Sequence, residues 1–147
     1  MEYQFEKLNA WQESRKLVVA TYQLLKKFPK EEQFALCDQL RRAVISVPSN
    51  IAEGNGRMAI KEQIHFLEIA YGSLTEVTCQ LDIAQSLGYI TDTELNTVED
   101  MSIEVGRLLS GLRKSLIEKQ SNNYQPRIAK IGVAGVISLL SPLSSLL

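Results

Sequence analysis

Apolar side chains return at alternating steps of three and four along four successive stretches of this chain, and short polar connections separate the stretches. That rhythm marks helices with one buried stripe, so the chain is restricted to packing helix against helix. The first stretch opens around Asn9, with Gln12 three residues on as a capping partner, and keeps Leu8, Trp11, Val18, Tyr22 and Leu25 on one side. Phe28-Pro29 ends it. A second helix is expected from near Pro29, with Glu31 and Glu32 in its first turn, a core stripe of Cys37, Leu40, Val44, Val47 and Ile51, and Gly54 as its C-terminal cap. The third, from about Ala59, carries Ile60, Ile64, Leu67, Tyr71, Leu74 and Leu81, is widened by Phe66, Ala70 and Val77, and stops at Gly88. Thr91 and Glu94 then form a capping box, and Leu95, Val98, Ser102, Val105, Leu109, Leu112 and Leu116 trace the fourth.

Connections of about three to five residues between helices of roughly 20 or more force neighbours to run antiparallel. The predicted fold class is therefore all-α, an antiparallel up-down-up-down four-helix bundle. No stretch alternates with period two, so no sheet is expected. At 147 residues the chain fits one domain. Residues 1–123 carry the bundle pattern, and residues 124–147 fall outside it. After Lys130 the tail IGVAGVISLLSPLSSLL has no charge but holds two glycines, a proline and four serines. A membrane span needs about 20 predominantly apolar residues, so this shorter segment reads as a tail, free or docked on a partner surface, rather than as an anchor.

Charge is segregated along the chain although the net is only −1. Residues 1–61 carry +3, residues 62–106 carry nine acids and no base, and residues 107–147 carry +5. Such a distribution presents a basic surface to an anionic partner, or simply lets adjacent helices of opposite sign attract. Cys37 and Cys79 both fall on apolar helical faces. Two thiols so placed imply free core cysteines and a reducing, cytoplasmic setting.

Catalytic and metal chemistry find little support. Glu62 and His65 form a Glu-x-x-His pair, but a di-iron bundle needs a second such pair and His65 is the only histidine. Any triad would depend on that same residue. The Gly54-Asn55-Gly56-Arg57 turn lacks the third glycine, the preceding strand and the Lys-Ser/Thr pair of a phosphate loop. The expectation is a protein that is not an enzyme and takes no cofactor or metal.

The second helix has a second stripe. Gln39, Arg42, Ser46, Asn50 and Glu53 recur at steps of three and four, roughly 140° around from the apolar seam at about 100° per residue. Short polar side chains suit close approach to another helix, so these positions, with Ser73 and Glu76 on the third helix, are candidates for an oligomer interface. They also fit a plain polar surface. Pro48 falls inside the same helix, where it removes a backbone bond. Arg57 and Lys61 stand at a helix start, against the dipole preference, which points to an anionic partner or a carboxylate neighbour.

A longer set of residues resembles a known family. Leu8, Trp11 and Ser14, Phe28-Pro29 with Glu32, Gln39-Leu40-Arg41-Arg42-Ala43, Ser46-Val47-Pro48, Asn50-Ile51-Ala52-Glu53-Gly54 and Gly56-Arg57 carry the first half of the likeness. Phe66-Leu67, Ala70, Gly72-Ser73-Leu74, Glu76, Gln80-Leu81 and Leu87-Gly88-Tyr89-Ile90 carry the second. The pattern is similar to that of bacterial 23S rRNA intervening-sequence proteins, relatives of the accessory variability determinant of diversity-generating retroelements. The resemblance implies a ring-shaped homo-oligomer, typically a pentamer, with no enzymatic activity. In the retroelement branch it implies a basic adaptor for nucleic acid and a reverse transcriptase. By that analogy Arg41, Arg42, Arg57 and Lys61, then Arg15 and Lys16, are the candidates for contact with RNA or DNA. The acidic balance of this chain departs from those basic adaptors. Two expectations follow: a nucleic-acid-binding ring, or an oligomeric protein-interaction scaffold that binds no nucleic acid.

Overall fold

The computed structural model describes residues 3–130, with side chains through residue 123. Four helices make up almost all of it: α1 (Asn9–Leu25), α2 (Leu36–Asn55), α3 (Ile60–Ser86) and α4 (Asp92–Lys130). Single 3₁₀ turns, Gln4–Lys7 and Lys30–Glu32, precede α1 and α2, and no strand occurs among the described residues. Each helix packs on its chain neighbour and α4 closes back on α1, while the diagonals α1–α3 and α2–α4 make no close backbone approach. Partners step forward on α2 as they step back on α3, Gln39 meeting Gln80 and Ser46 meeting Ser73, so the two run antiparallel.

The core follows from the apolar stripes. Leu40, Val44, Val47 and Ile51 of α2 face Leu74, Val77 and Leu81 of α3 and Val105 and Leu109 of α4, all almost fully buried. Burying one such side chain stabilises the fold by about 1.5–3 kcal/mol relative to leaving it in water. On α1 the buried line is Ala10, Ser14, Leu17, Thr21 and Leu24. The expected line through Trp11, Val18 and Tyr22 is only half covered, because small and hydroxylated residues let α1 approach closely where bulk would hold it away. Tyr71 likewise lies exposed, and Ala70 takes the core position beside it. Ser102 interrupts the apolar run of α4 without cost in hydrogen bonding, since its hydroxyl donates to Val98 O at 2.8 Å.

Helix ends show where local signals decide and where they mislead. Gly88 has φ of +77°, and Tyr89 N donates back to Ala84 O at 2.9 Å, which closes α3 with a left-handed residue as expected. Thr91 and Glu94 form the reciprocal cap of α4: Glu94 N donates to Thr91 Oγ1 at 3.2 Å and Thr91 N to Glu94 Oε2 at 3.0 Å. Lys27 also binds Glu94. That ammonium, then the Thr91 amide, holds the Glu94 carboxyl below its usual range. A depressed carboxylate contributes stability that is complete above the ordinary range and is lost as pH falls through the lowered value. Thr91→Ala is expected to cost about 1 kcal/mol in a urea titration, while the cost of Glu94→Gln should shrink as the pH is lowered through the acidic range.

Three boundary expectations need correcting. Gln12 binds Glu6 O at 2.8 Å, so Asn9 opens α1 without a Gln12 capping box. Helix α2 does not continue from Pro29: the 3₁₀ turn intervenes, and Glu32 Oε2 receives Leu36 N at 3.2 Å to start α2 proper. Gly54 is not a left-handed cap, since α2 runs through it to Asn55 and Gly88 is the only residue with positive φ among those described. A Cβ on Gly54 would fall 2.8 Å from Phe66 Cβ. Its glycine is required by the close approach of α3.

Helix α4 has 39 residues and a length of about 58 Å, and its packed side chains end with Leu116. The helix therefore passes the boundary expected at residue 124 and continues to Lys130. The rest of the tail lies outside the described residues. No helix among the described residues is long and apolar enough to cross a membrane.

Candidate interaction surface

Helices α2 and α3 share the most extensive contact of the bundle, and its outer edge is polar. Asn50 Nδ2 donates to Ser46 Oγ at 2.9 Å, Ser46 and Ser73 hydroxyls lie 2.8 Å apart, and Ser73 Oγ donates to Ile69 O at 3.0 Å. Because Ser73 gives its only proton to Ile69, Ser46 must give its own to Ser73. The bonds thus form one directed chain across the seam. Further along, Gln80 Nε2 donates to Glu76 Oε1 at 2.9 Å and to Gln39 Oε1 at 3.3 Å. The expected counterpart Ser73 therefore meets the α2 stripe within a single chain, and Glu76 is linked to it through Gln80. Gln80 Oε1 is buried and has no donor there.

Pro48 lies inside the same stretch of α2. A proline ring crowds the carbonyls one turn back and offers no N–H to them. Of the carbonyls beside it, Ile45 O accepts Ser49 Oγ at 2.9 Å and Ser46 O accepts Asn50 Nδ2 at 2.8 Å. The carbonyl that loses its backbone donor is that of Val44, four residues before the proline, and the Ser49 and Asn50 bonds serve its two neighbours. Gln39, Arg42, Ala43, Ser46, Ser73 and Glu76 line a cleft of about 400 Å³ above the seam.

Sequence reasoning missed the rest of this face. On α3 the series Ile69, Ser73, Glu76, Gln80, Ile83 and Leu87 keeps alternating steps of four and three, so it is a second complete stripe. Its apolar members Ile69, Ile83 and Leu87 are 38%, 44% and 53% exposed. The signal was present in the spacing. It was hidden because polar residues occupy the middle of the run.

The candidate cations do not gather at one place. Arg41 and Arg42 leave α2 about 100° apart. Arg41 donates to Gln33 O at 3.3 Å, while Arg42 pairs with Asp38 at 3.1 Å. Arg57 and Lys61 stand near the opposite end of α2, about 22 Å away along the axis at about 1.5 Å per residue. Arg57 binds Glu53 and lies 4.8 Å over the Phe66 ring. On α1, Arg15 lies 5.8 Å from the Trp11 ring centre and Lys16 pairs with Glu13 at 2.7 Å. Lys61 makes no ion pair among the described residues.

No cluster of residues able to hold a metal occurs among the described residues. His65 is exposed, against the Phe66 ring. Both cysteines are free, but only Cys37 is buried. Burial pushes its thiol above the usual range and leaves it unreactive. Cys79 is exposed, contrary to expectation, because it follows Val77 by two residues, which turns it about 200° away from the core.

The α2–α3 seam is thus apolar inside and polar along its outer edge, and the outer α3 face is partly apolar. The family model of the 23S rRNA-intervening sequence proteins matches residues 6–111, and this chain belongs to that family. Among solved structures, it is similar to a protein with unknown function from the S23 ribosomal protein family of Bacteroides thetaiotaomicron VPI-5482. The two are 24% identical, with a TM-score of 0.67 over 71% of this chain and 98% of that one. At that identity the likeness speaks for the fold alone. No curated protein matches the chain.

Proposed function

We propose that this protein is a non-enzymatic binding module that self-associates through the outer α2–α3 face and serves as a protein-interaction scaffold. The observation that carries this reading is the second stripe of α3, polar in its middle and apolar at its ends, beside the cleft of α2. Exposed Ile69, Ile83 and Leu87 in register with hydrogen-bonding groups are the composition of an interface rather than of a solvated helix. Gln80 Oε1, buried without a donor, fits a seam completed from outside the protomer. A ring of five is the subunit arrangement that the family resemblance implies.

Sedimentation velocity of the full chain, alone and as the Ile69→Glu/Ile83→Glu double variant, tests this. Both positions are partly exposed, so the variant should keep its helical spectrum and fall to protomer mass. A wild-type chain that sediments as a protomer at tens of micromolar sinks the proposal.

Nucleic-acid contact is the second reading, and one observation favours it. Lys61, which makes no ion pair among the described residues, follows Arg57 by four residues at the end of the bundle where α1 begins, and repetition around a ring would multiply those two into a basic rim. The ion pairs of Arg42 and Arg57 with carboxylates weigh toward the scaffold, although exposed pairs hold only about 0–1 kcal/mol. Filter binding of structured RNA and duplex DNA at two salt concentrations decides the matter. Steeply salt-dependent, saturable binding lost in Arg57→Ala/Lys61→Ala supports contact with phosphates, and no saturable binding at low salt removes it.

A further inference from the structure

We propose that the outer face of α1 of a second copy docks on the α2–α3 face, and that Arg15 of that copy provides the cation Glu76 lacks. The inference rests on the self-association reading and names the surface that meets the seam. A contact repeated around a ring joins two different surfaces of the chain. Helix α1 touches α2 and α4 but makes no close approach to α3, so α1 and α3 stand at diagonal corners of the bundle.

The cleft above the seam has acceptors to spare and few protons. Ser46 and Ser73 commit their hydroxyl protons to Ser73 Oγ and Ile69 O, and Gln80 commits both protons of Nε2 to Glu76 Oε1 and Gln39 Oε1. Glu76 lines the cleft, is exposed, and makes no ion pair among the described residues. Arg42 lines the same cleft, yet its guanidinium pairs with Asp38 one turn back along α2. The Glu76 carboxylate therefore calls for a cation from outside.

Helix α1 has one. Arg15 is exposed, lies 5.8 Å from the Trp11 ring centre, and makes no ion pair among the described residues. Trp11, Arg15, Val19 and Tyr22 follow at steps of four, four and three and so share one face, on which Val19 and Tyr22 are exposed. Charge agrees over a longer range: residues 7–30 carry six bases against Glu13, whereas residues 62–106 carry nine acids and no base.

Register makes the match specific. Leu8, just before α1, shares a small cleft with Ile51, Gly54, Gln63 and Leu67, so α1 and α3 start at one level and run parallel. Copies related by rotation about an axis along the bundle keep that level. Arg15 is seven residues, about 10.5 Å, past Leu8 and thus level with residues 70–74 of α3. Glu76 is about 3–9 Å further on, a gap that a long, flexible arginine side chain closes. Seven residues also separate Arg15 from Tyr22 and Glu76 from Ile83. One alignment therefore sets cation on carboxylate and Tyr22 on exposed Ile83.

Charge reversal in the full chain, read by sedimentation velocity, tests the pairing. Arg15→Glu and Glu76→Arg should each weaken self-association at least about tenfold, and Arg15→Glu/Glu76→Arg together should recover it to within about threefold, as coupled charge pairs at an interface do. Both side chains are exposed, so the helical spectrum should persist. If Glu76→Arg does not fold, the photo-crosslinking residue p-benzoylphenylalanine at position 19 decides, in a mixture of isotopically light and heavy chains. Irradiation should join it to residues 73–83 of another chain, and crosslinks that miss that stretch overturn the proposal. Association that survives both single reversals, or that the double variant does not recover, overturns the pairing and leaves the α2–α3 face to the Ile69→Glu/Ile83→Glu result. A wild-type chain that sediments as a protomer removes the self-association reading, and this inference with it. Loss of RNA binding by Arg15→Glu at unchanged mass assigns Arg15 to phosphates instead and also overturns the pairing.

Discussion

Gly54→Val is expected to destabilise the bundle by about 3 kcal/mol, the upper range for overpacking a closely fitted site. The new Cβ would stand 2.8 Å from Phe66 Cβ and 3.3 Å from Gln63 O. Neither neighbour is the loose end of a flexible side chain. One is a side-chain root and the other is backbone, so relief requires α2 and α3 to separate near their shared turn. That movement would loosen Ile51, which is buried a few residues earlier, and the ring of Phe66 under Arg57. Gly111→Val is the control, because a Cβ there meets nothing within 4 Å. Urea or guanidinium denaturation of both variants checks the contrast. Equal midpoints would mean that the α2–α3 approach is not held where the structure places it.

Pro48→Ala is expected to act in the opposite direction, raising the unfolding free energy by about 2 kcal/mol. Proline inside a helix costs about 3 kcal/mol, and part of that is offset because proline also restricts the unfolded chain by about 0.4–1 kcal/mol. Alanine restores the N–H that α2 lacks at this position. The restored N–H would donate to Val44 O, four residues back, and leave the Ser49 and Asn50 bonds in place. Assembly gives the second readout. If the proline sets the path of α2 along the outer seam, the stabilised variant should associate less well than the parent in sedimentation. A denaturation midpoint that is unchanged or lower would show that the helix has already absorbed the missing bond.

The stripes of α2 and α4 were legible residue by residue. Cys37, Leu40, Val44, Val47 and Ile51 are all buried, as are Leu95, Val98, Ser102, Val105 and Leu109, while Leu112 and Leu116 at the far end of the α4 stripe are only partly buried. Large aliphatic residues repeated at helical spacing leave only one face to bury. Helix α1 was less legible, because Ala10, Ser14 and Thr21 occupy its core line while Tyr22 and Val19 are exposed. Hydrophobicity alone ranks those residues in the wrong order, since the close approach of two helices rewards small size. The candidate interface was half legible. Its α2 side stood out through Gln39, Ser46 and Asn50, and its α3 side was known only at Ser73 and Glu76, without Gln80 or the flanking isoleucines.

Local chemistry was enough to specify four helices, the cap at Thr91 and Glu94, the left-handed stop at Gly88 and the short connections that make neighbours antiparallel. Each depends on residues within one or two turns of one another, and that information is linear in the chain. Tertiary packing alone settled that Gly54 serves an approach of α3, that Asn50, Ser46 and Ser73 share one directed set of hydrogen bonds, and that the arginines divide between the ends of α2. Those outcomes depend on how far apart two helices lie and how each is rotated about its axis. Spacing along a single helix is silent on both.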